Sequence, residues 1–249
     1  MPPADPTPDI YFTPTPERVV PVMLELAHVG PHDVIYDLGC GDGRILIAAA
    51  LQRGARSVGI DLDPAQIAET RRNIAAAGVE DRVTLICEDF FQSDLSPANV
   101  IALYLLDSLN VRLRPQILAQ CRPGTRIISY SFEMGDWMPD AHAPIAANGV
   151  SLWIVPADFA GRWRTDEGTA RLEEMNLTQH FQMLDGSIRI DGVTRSVQAG
   201  RVEGNRVTIA LDDPDATTVA GLIERDRIVG QLGIPGRESE WTARREARG

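Results

Sequence analysis

The sequence predicts an α/β domain over residues 1–156, a Rossmann-like sheet with helices on both faces, followed by an antiparallel β meander or small barrel over residues 157–249. Three observations carry this. Residues 34 to 43 read Val-Ile-Tyr-Asp-Leu-Gly-Cys-Gly-Asp-Gly, an apolar strand, a carboxylate and alternating glycines, with a helical run from Arg44 to Arg53 directly after. Such a strand, glycine turn and helix form a nucleotide-binding corner. Further short apolar strands recur at helix-length intervals, and alternation of strands with helices gives a parallel sheet. After Pro156 the helical pattern stops, and short alternating stretches separated by turns take over.

Thr15-Pro16-Glu17 reads as a helix cap with proline at the first helical position. Val19, Val20, Met23, Leu26 and Ala27 then form a helical apolar stripe. Pro21 falls inside that stripe and predicts a kink, because it removes a backbone donor. The strand near 33–37 delivers Asp37 to the glycine turn Gly39, Gly41, Gly43. Glycine lets a ligand approach where a Cβ would push it away. The spacing G-x-G-x-G, unlike the G-x-G-x-x-G of dinucleotide sites, points to S-adenosylmethionine. The open N-terminus of the next helix offers unpaired N–H groups to its carboxylate.

A second strand near 57–61 ends at Asp61, 18 residues after Gly43, close to the place of a ribose-binding acid, about 20 residues on. Asp63, before Pro64, fits the cap of the helix near 64–77. The third strand, near 83–87, runs into Glu88-Asp89-Phe90. Asp89 can accept from the adenine amino group, with Phe90 against the ring, while Phe91 reads as core. Strands near 99–104 and 125–131, with a helix near 107–120, complete the sheet. Asp37, Asp61, Asp89 and Tyr104 all fall at carboxyl ends of strands, where ligands of such sheets bind.

In the C-terminal part, strands are expected at 161–164, 175–181, 187–190, 206–211, 227–232 and 240–243, with turns at Asp185-Gly186, Asp191-Gly192 and Gly204-Asn205. The Gly161-x-Trp163 opening and the Trp241-x-Ala243-x-Arg245 close resemble small bacterial lipocalin-like barrels. Trp163 and Trp241 are placed to plug such a barrel or to line a cavity within it.

Residues 9 to 140 resemble the bacterial class I S-adenosylmethionine-dependent methyltransferases related to the lysine methyltransferases that act on the ATP synthase c subunit. The resemblance rests on Asp9-Ile-Tyr-Phe-Thr-Pro-Thr-Pro16, Tyr36-Asp-Leu-Gly-Cys-Gly-Asp-Gly-Arg-Ile45, Gly59-Ile-Asp-Leu-Asp63, Tyr104-Leu-Leu-Asp-Ser-Leu-Asn110, Leu113-Arg-Pro115 and Met134-Gly-Asp-Trp137. It implies a class I fold, the S-adenosylmethionine cofactor, its product S-adenosyl-L-homocysteine, and a protein lysine as acceptor. It also implies that Phe12 to Thr15 cross the cofactor's methionine end. The expected cofactor contacts are then Phe12, Thr15, Asp37, Gly39, Gly41, Gly43, Asp61, Leu62, Asp89, Phe90 and Tyr104. The end of the fourth strand reads Leu103-Tyr-Leu-Leu-Asp107, not the Asn/Asp-Pro-Pro-aromatic motif of enzymes acting on planar amino groups. Tyr104, Asn110 and Phe132 are the acceptor-channel candidates; their structural alternatives are strand core, helix cap and strand core. No catalytic acid or base is singled out.

With 24 basic and 35 acidic residues, a net charge of −11, the chain has no electrostatic footprint for nucleic acid. Every basic residue is arginine. No apolar run approaches the roughly 20 residues of a membrane helix, so no membrane anchor is expected. With no apolar signal segment at the Pro-rich start, the cytoplasm is the expected compartment. Cys40, Cys87 and Cys121 read as reduced core residues, and His28, His32, His142 and His180 lack metal-ligand spacing, so no metal is expected. The predicted activity is methyl transfer to a protein lysine. A small-molecule methyltransferase and a nonenzymatic S-adenosylmethionine-binding module are the alternatives. The 157–249 domain is expected to help select the acceptor; its alternative is a structural cap.

Overall fold

The computed structural model describes residues 13–165, 171–234 and 237–246. The chain divides into two units, Met1–Ile154 and Val155–Gly249. The first unit is a seven-stranded sheet in the order β3-β2-β1-β4-β5-β7-β6. Its parallel strands are β1 (Val34–Leu38), β2 (Arg56–Asp61), β3 (Val83–Cys87), β4 (Val100–Leu103) and β5 (Arg126–Tyr130). β7 (Asn148–Ile154) runs antiparallel to β5, and β6 (Ala141–Ile145) lies antiparallel to β7 at the edge. The helices are α1 (Val20–Leu26), α2 (Arg44–Arg53), α3 (Pro64–Ala77) and α4 (Asp107–Gln120). β6 escapes the sequence reading because Ala-His-Ala-Pro-Ile has little alternation and contains Pro144. Only an edge strand accommodates a residue with no N–H to donate.

Two expectations at the N-terminus need correction. Pro21 sits in the first turn of α1, where no intrahelical bond is lost, so it starts the helix rather than kinking it. Thr15 does not cap α1; a turn over residues 16–19 precedes the helix, with the Val19 N–H donating to the Pro16 carbonyl at 2.8 Å. Val20, Met23 and Leu24 of α1 bury themselves with Ile35, Val100 and Ile128 on one face of the sheet. Asp63 does cap α3, accepting the Ala65 N–H at 2.8 Å. Gly59 on β2 makes room for the glycine turn and α2: a Cβ there would lie 2.5 Å from Leu46 Cδ1 and 3.0 Å from Cys40 Sγ.

The second unit is a closed antiparallel barrel of eight strands. They are β8 (Gly161–Thr165), β9 (Leu172–His180), β10 (Met183–Ile190), β11 (Val193–Glu203), β12 (Arg206–Leu211), β13 (Thr218–Glu224), β14 (Arg227–Ile234) and β15 (Arg237–Arg245), which pairs back onto β8. Asp185-Gly186 is not a turn. It lies within β10, where the register with β11 shifts between Leu184 and Ser187 and Gly186 adopts φ +136°. The chain instead reverses after β9 at Phe181, in the left-handed region. Phe159, Trp163, Trp241, Ile188 and Ile209 fill the interior with their neighbours. Trp163 Nε1 donates to the Phe159 carbonyl at 2.9 Å. The Trp241 indole lies against Gly230, where a Cβ would stand 2.6 Å from Cζ2 and 2.1 Å from the Ala220 carbonyl oxygen.

Candidate active site

Beyond the carboxyl ends of β1 and β4 lies a cleft enclosing about 320 Å³, part of it open to solvent. Thr13, Pro14, Thr15, Asp37, Gly39, Arg44 and Tyr104 are among the residues lining it. The turn that shapes it needs its glycines. Gly39, Gly41 and Gly43 adopt φ +78°, +53° and +81°, conformations L side chains rarely take. A Cβ on Gly43 would also lie 2.5 Å from Thr70 Cγ2. α3 grips the turn from behind. Thr70 Oγ1 donates to the Gly41 carbonyl, and Asn73 Nδ2 donates to the Asp42 carbonyl at 2.9 Å.

Asp61 braces the same turn. Its Oδ2 accepts the Gly41 N–H and its Oδ1 the Asp63 N–H, each at 3.0 Å. Each carboxylate oxygen keeps a further lone pair that a ribose hydroxyl can use. Asp37 is buried at the end of β1. Burial first, then the nearby Asp61 and Asp42, push its carboxyl well above the ordinary carboxylate range. Burial and the same anionic surroundings, Asp37 and Asp61, raise the Cys40 thiol, so this cysteine is no thiolate nucleophile.

Arg44, the first residue of α2, joins the segment at Thr15 to the turn. Its Nη1 donates to the Thr15 carbonyl at 2.7 Å, and its Nε reaches Asp42 Oδ1 at 3.0 Å. Burial would raise the Asp42 carboxyl, but the Arg44 hydrogen bonds outweigh it and hold Asp42 below its ordinary value. Neither Asp42, Arg44, Thr70 nor Asn73 was singled out from sequence. The signal for Arg44 was present, since an arginine opening a helix two residues after an aspartate can close back on it.

Along the sheet, Asp89 caps a short 3-10 turn, Phe90–Gln92, accepting the Phe91 N–H at 3.0 Å. The Phe90 and Phe91 rings pack 4.6 Å apart between centroids. Phe91 is a half-buried surface ring under the Arg112 guanidinium, 3.9 Å from its centroid, which corrects its reading as core. Leu62 follows Asp61 in the β2–α3 connection and is half-buried. Phe12 lies outside the described residues. Cys87 is exposed, against the expectation of a core residue; Cys40 and Cys121 are buried.

Of the acceptor-channel candidates, Tyr104 lines the cleft, Phe132 packs against Tyr104, and Asn110 does neither. Tyr104 packs against Tyr130 at 5.0 Å and Phe132 at 5.8 Å between ring centroids. Burial, with Tyr130 beside it, raises the Tyr104 phenol. Asn110 is wholly buried on α4, donating to Ser129 Oγ at 3.5 Å, and its Oδ1 has no partner among the described residues.

The cleft fits the group that the glycine turn implies. Burial and the neighbouring Asp61 and Asp42 raise the Asp37 carboxyl, an environment that a cation would relieve, and S-adenosylmethionine carries two, a sulfonium and an α-ammonium. Residues 13–154 are therefore the body of a class I S-adenosylmethionine-dependent methyltransferase.

Comparison with known proteins agrees. The ANTKMT methyltransferase domain family matches residues 37–141. A protein-lysine N-methyltransferase of Saccharolobus islandicus is 41% identical over 133 residues, 53% of this chain and 83% of that protein. An RNA methyltransferase from Salinibacter ruber, solved with S-adenosyl-L-homocysteine, is 47% identical, with a TM-score of 0.58 over 59% of this chain and 96% of that one. The human lysine N-methyltransferase of the ATP synthase c subunit is 26% identical over 51% of this chain and 54% of its own length. The chain belongs to this methyltransferase family, as an enzyme that uses S-adenosylmethionine. Among the described residues no helix is long and apolar enough to cross a membrane, and no His, Cys, Asp or Glu cluster suits a metal.

Proposed function

We propose that the enzyme methylates the side-chain amine of a protein lysine. The carrying observation is the likeness to the Saccharolobus protein-lysine N-methyltransferase across most of that protein's length. The site supports it. The end of β4 presents Tyr104 and an aromatic wall with Tyr130 and Phe132, surfaces suited to an alkyl stem. The donor supplies an already activated methyl group, so the chain's task is to align the amine, exclude water and accept a proton. Alignment of this kind contributes about 7–11 kcal/mol.

In this reading Asp37 ionises against the α-ammonium, and the N-terminus of α2 faces the carboxylate. Asp61 holds the ribose hydroxyls, Asp89 the adenine amino group, and Phe90 and Leu62 flank the ring. Arg44 fixes the segment at Thr15 over the methionine end. Residues 157–249 help to select the acceptor, and the cytoplasm is the site of action.

The Salinibacter relative favours a second reading, RNA as acceptor. A chain with net charge −11 is poorly suited to a polyanion. Incubating lysate from a strain lacking the gene with the enzyme and methyl-labelled cofactor separates the two. Protease-sensitive label recovered as methyl-lysine is the expected result; ribonuclease-sensitive label overturns the lysine reading.

A further inference from the structure

β5 ends at Tyr130, and the next residue, Ser131, adopts φ +68°, a left-handed conformation rare for serine. After it Phe132 packs against Tyr104, which lines the cofactor cleft, and Glu133, the next residue in the chain, is exposed. Glu133 is then held from two sides. Its N–H donates to Asp107 Oδ1 at the start of α4, at 2.6 Å. Its Oε1 accepts from Ser151 Oγ at 3.0 Å, and Ser151 is buried on β7.

Ser151 Oγ also lies 2.9 Å from His142 Nδ1 on β6. A hydroxyl carries one proton. If it goes to Glu133, His142 Nδ1 must be the donor to Ser151, so the three groups form a directed chain, His142 to Ser151 to Glu133. The register builds this chain, since His142 stands opposite Ser151. Gly149 leaves space for the imidazole: a Cβ there would lie 2.2 Å from His142 Cε1. Ser151 engages Glu133 through Oε1, and the buried Ser131 Oγ has no hydrogen-bond partner among the described residues. The other charged groups at this loop are Asp107 on α4 and the Arg114–Asp136 pair, where Arg114 also donates to the Met134 carbonyl.

Resting on the lysine reading, we propose that Glu133 is the base that receives the acceptor's proton, with Ser151 and His142 as its positioning residues. The acceptor enters as an ammonium, whose unperturbed pKa is about 10.4. Its proton passes to Glu133 Oε2. The freed lone pair forms the N–C bond to the methyl carbon as the S–C bond breaks, and that bonding pair stays on sulfur. The product is a methylammonium, and Glu133 returns its proton to water, to which it is exposed.

The test uses the full chain, methyl-labelled cofactor and the protein fraction of lysate lacking the gene, read as methyl-lysine after hydrolysis. Glu133→Gln should slow labelling about 100-fold at pH 7, with the rate recovering toward pH 10 as the amine loses its proton unaided. Its affinity for S-adenosylhomocysteine should match the parent's. Ser151→Ala should lose about 10-fold, in kcat rather than KM, and Ser151→Thr should restore it. A Glu133→Gln rate within twofold of the parent overturns the proposal. So does a loss that is equal at every pH and accompanied by a lower melting temperature, the mark of a loop tether. Should Glu133→Gln not fold, a Ser151→Ala protein of unchanged kcat overturns it alone. Label from the parent enzyme on a group other than lysine defeats the lysine reading itself, and the proposal with it, whatever Glu133 does.

Discussion

The sheet of the first unit gathers polar side chains at strand ends, where Asp37 and Tyr104 line a cleft and Asp61 braces the turn of left-handed glycines beside it. The barrel does the reverse. Its interior is filled by Phe159, Trp163 and Trp241, and its charges form pairs on the outer surface, such as Arg162 with Glu174 and Arg164 with Glu246. Each unit has its own buried apolar core; the two differ in what their irregular backbone positions do. In the sheet three left-handed glycines in succession, Gly39, Gly41 and Gly43, shape the turn beside the cleft, while others such as Gly54 and Gly78 only end helices. In the barrel the irregular positions are turns and the register shifts of β10 and β11 with their neighbours. Substitutions in the first unit should therefore act on binding, and substitutions in the second on stability.

Gly43→Val offers the largest test. It combines a strained φ of +81° with a clash on Thr70, and strain of this kind costs on the order of 1–3 kcal/mol by itself. Cofactor-dependent thermal stabilisation should vanish while circular dichroism keeps the secondary structure; surviving stabilisation would dissolve the distinction between the units. Gly230→Val is its counterpart. The new side chain would strike the Ala220 carbonyl and the Trp241 ring, with overpacking costing about 1–3 kcal/mol. The melting temperature should fall, while calorimetry on the folded fraction finds unchanged affinity for S-adenosylhomocysteine.

Asp37→Asn sharpens the comparison further, because its two effects have opposite signs. The folded chain holds the Asp37 proton above the ordinary carboxylate range, whereas the unfolded chain releases it near pH 4. Folded protein thus binds more protons in that window, and stability is lost as pH rises from about 4 through the raised value. The amide removes this loss, so Asp37→Asn should melt higher at neutral pH. It also removes the anion that meets the ammonium, a bond of about 1.5–3 kcal/mol, so affinity should drop about 10- to 100-fold. Parent affinity should rise with pH across the same window, and the variant's should not. Arg164→Ala should do least. The pair with Glu246 is largely solvated, and its loss should move the melting temperature by no more than about 2 °C.

The parallel sheet is legible because its strands are short apolar runs, and β1, β2 and β4 are each followed by a helix, with the Asp63-Pro64 cap the plainest start. Asp63 and Gly43 mark helix starts in the sequence as plainly as in space. β11 and β13 were not legible. Val-Thr-Arg-Ser-Val-Gln-Ala-Gly-Arg-Val-Glu presents mostly solvent-facing residues, and Thr-Val-Ala-Gly-Leu-Ile-Glu carries small residues that pack under Trp241. Their strand character comes from neighbours paired on both sides, a long-range cause that local alternation does not record. At the site, the residues that would touch a ligand stood out by residue type. Those that hold the turn, Thr70 and Asn73, looked like ordinary helix positions, because their partners are backbone carbonyls 29 and 31 positions away.

Pro144 on β6 bears on the molecule's behaviour at high concentration. The barrel closes on itself and offers no strand border to a neighbour. The sheet does have borders, and β6 is one of them. A second chain seeking to extend that border by strand addition would need a row of donors and acceptors, and Pro144 leaves a gap in the donors. Replacing it with valine would complete the row. The same residue that hid β6 from a reading of the sequence is thus a guard against self-association at one of the sheet's two borders.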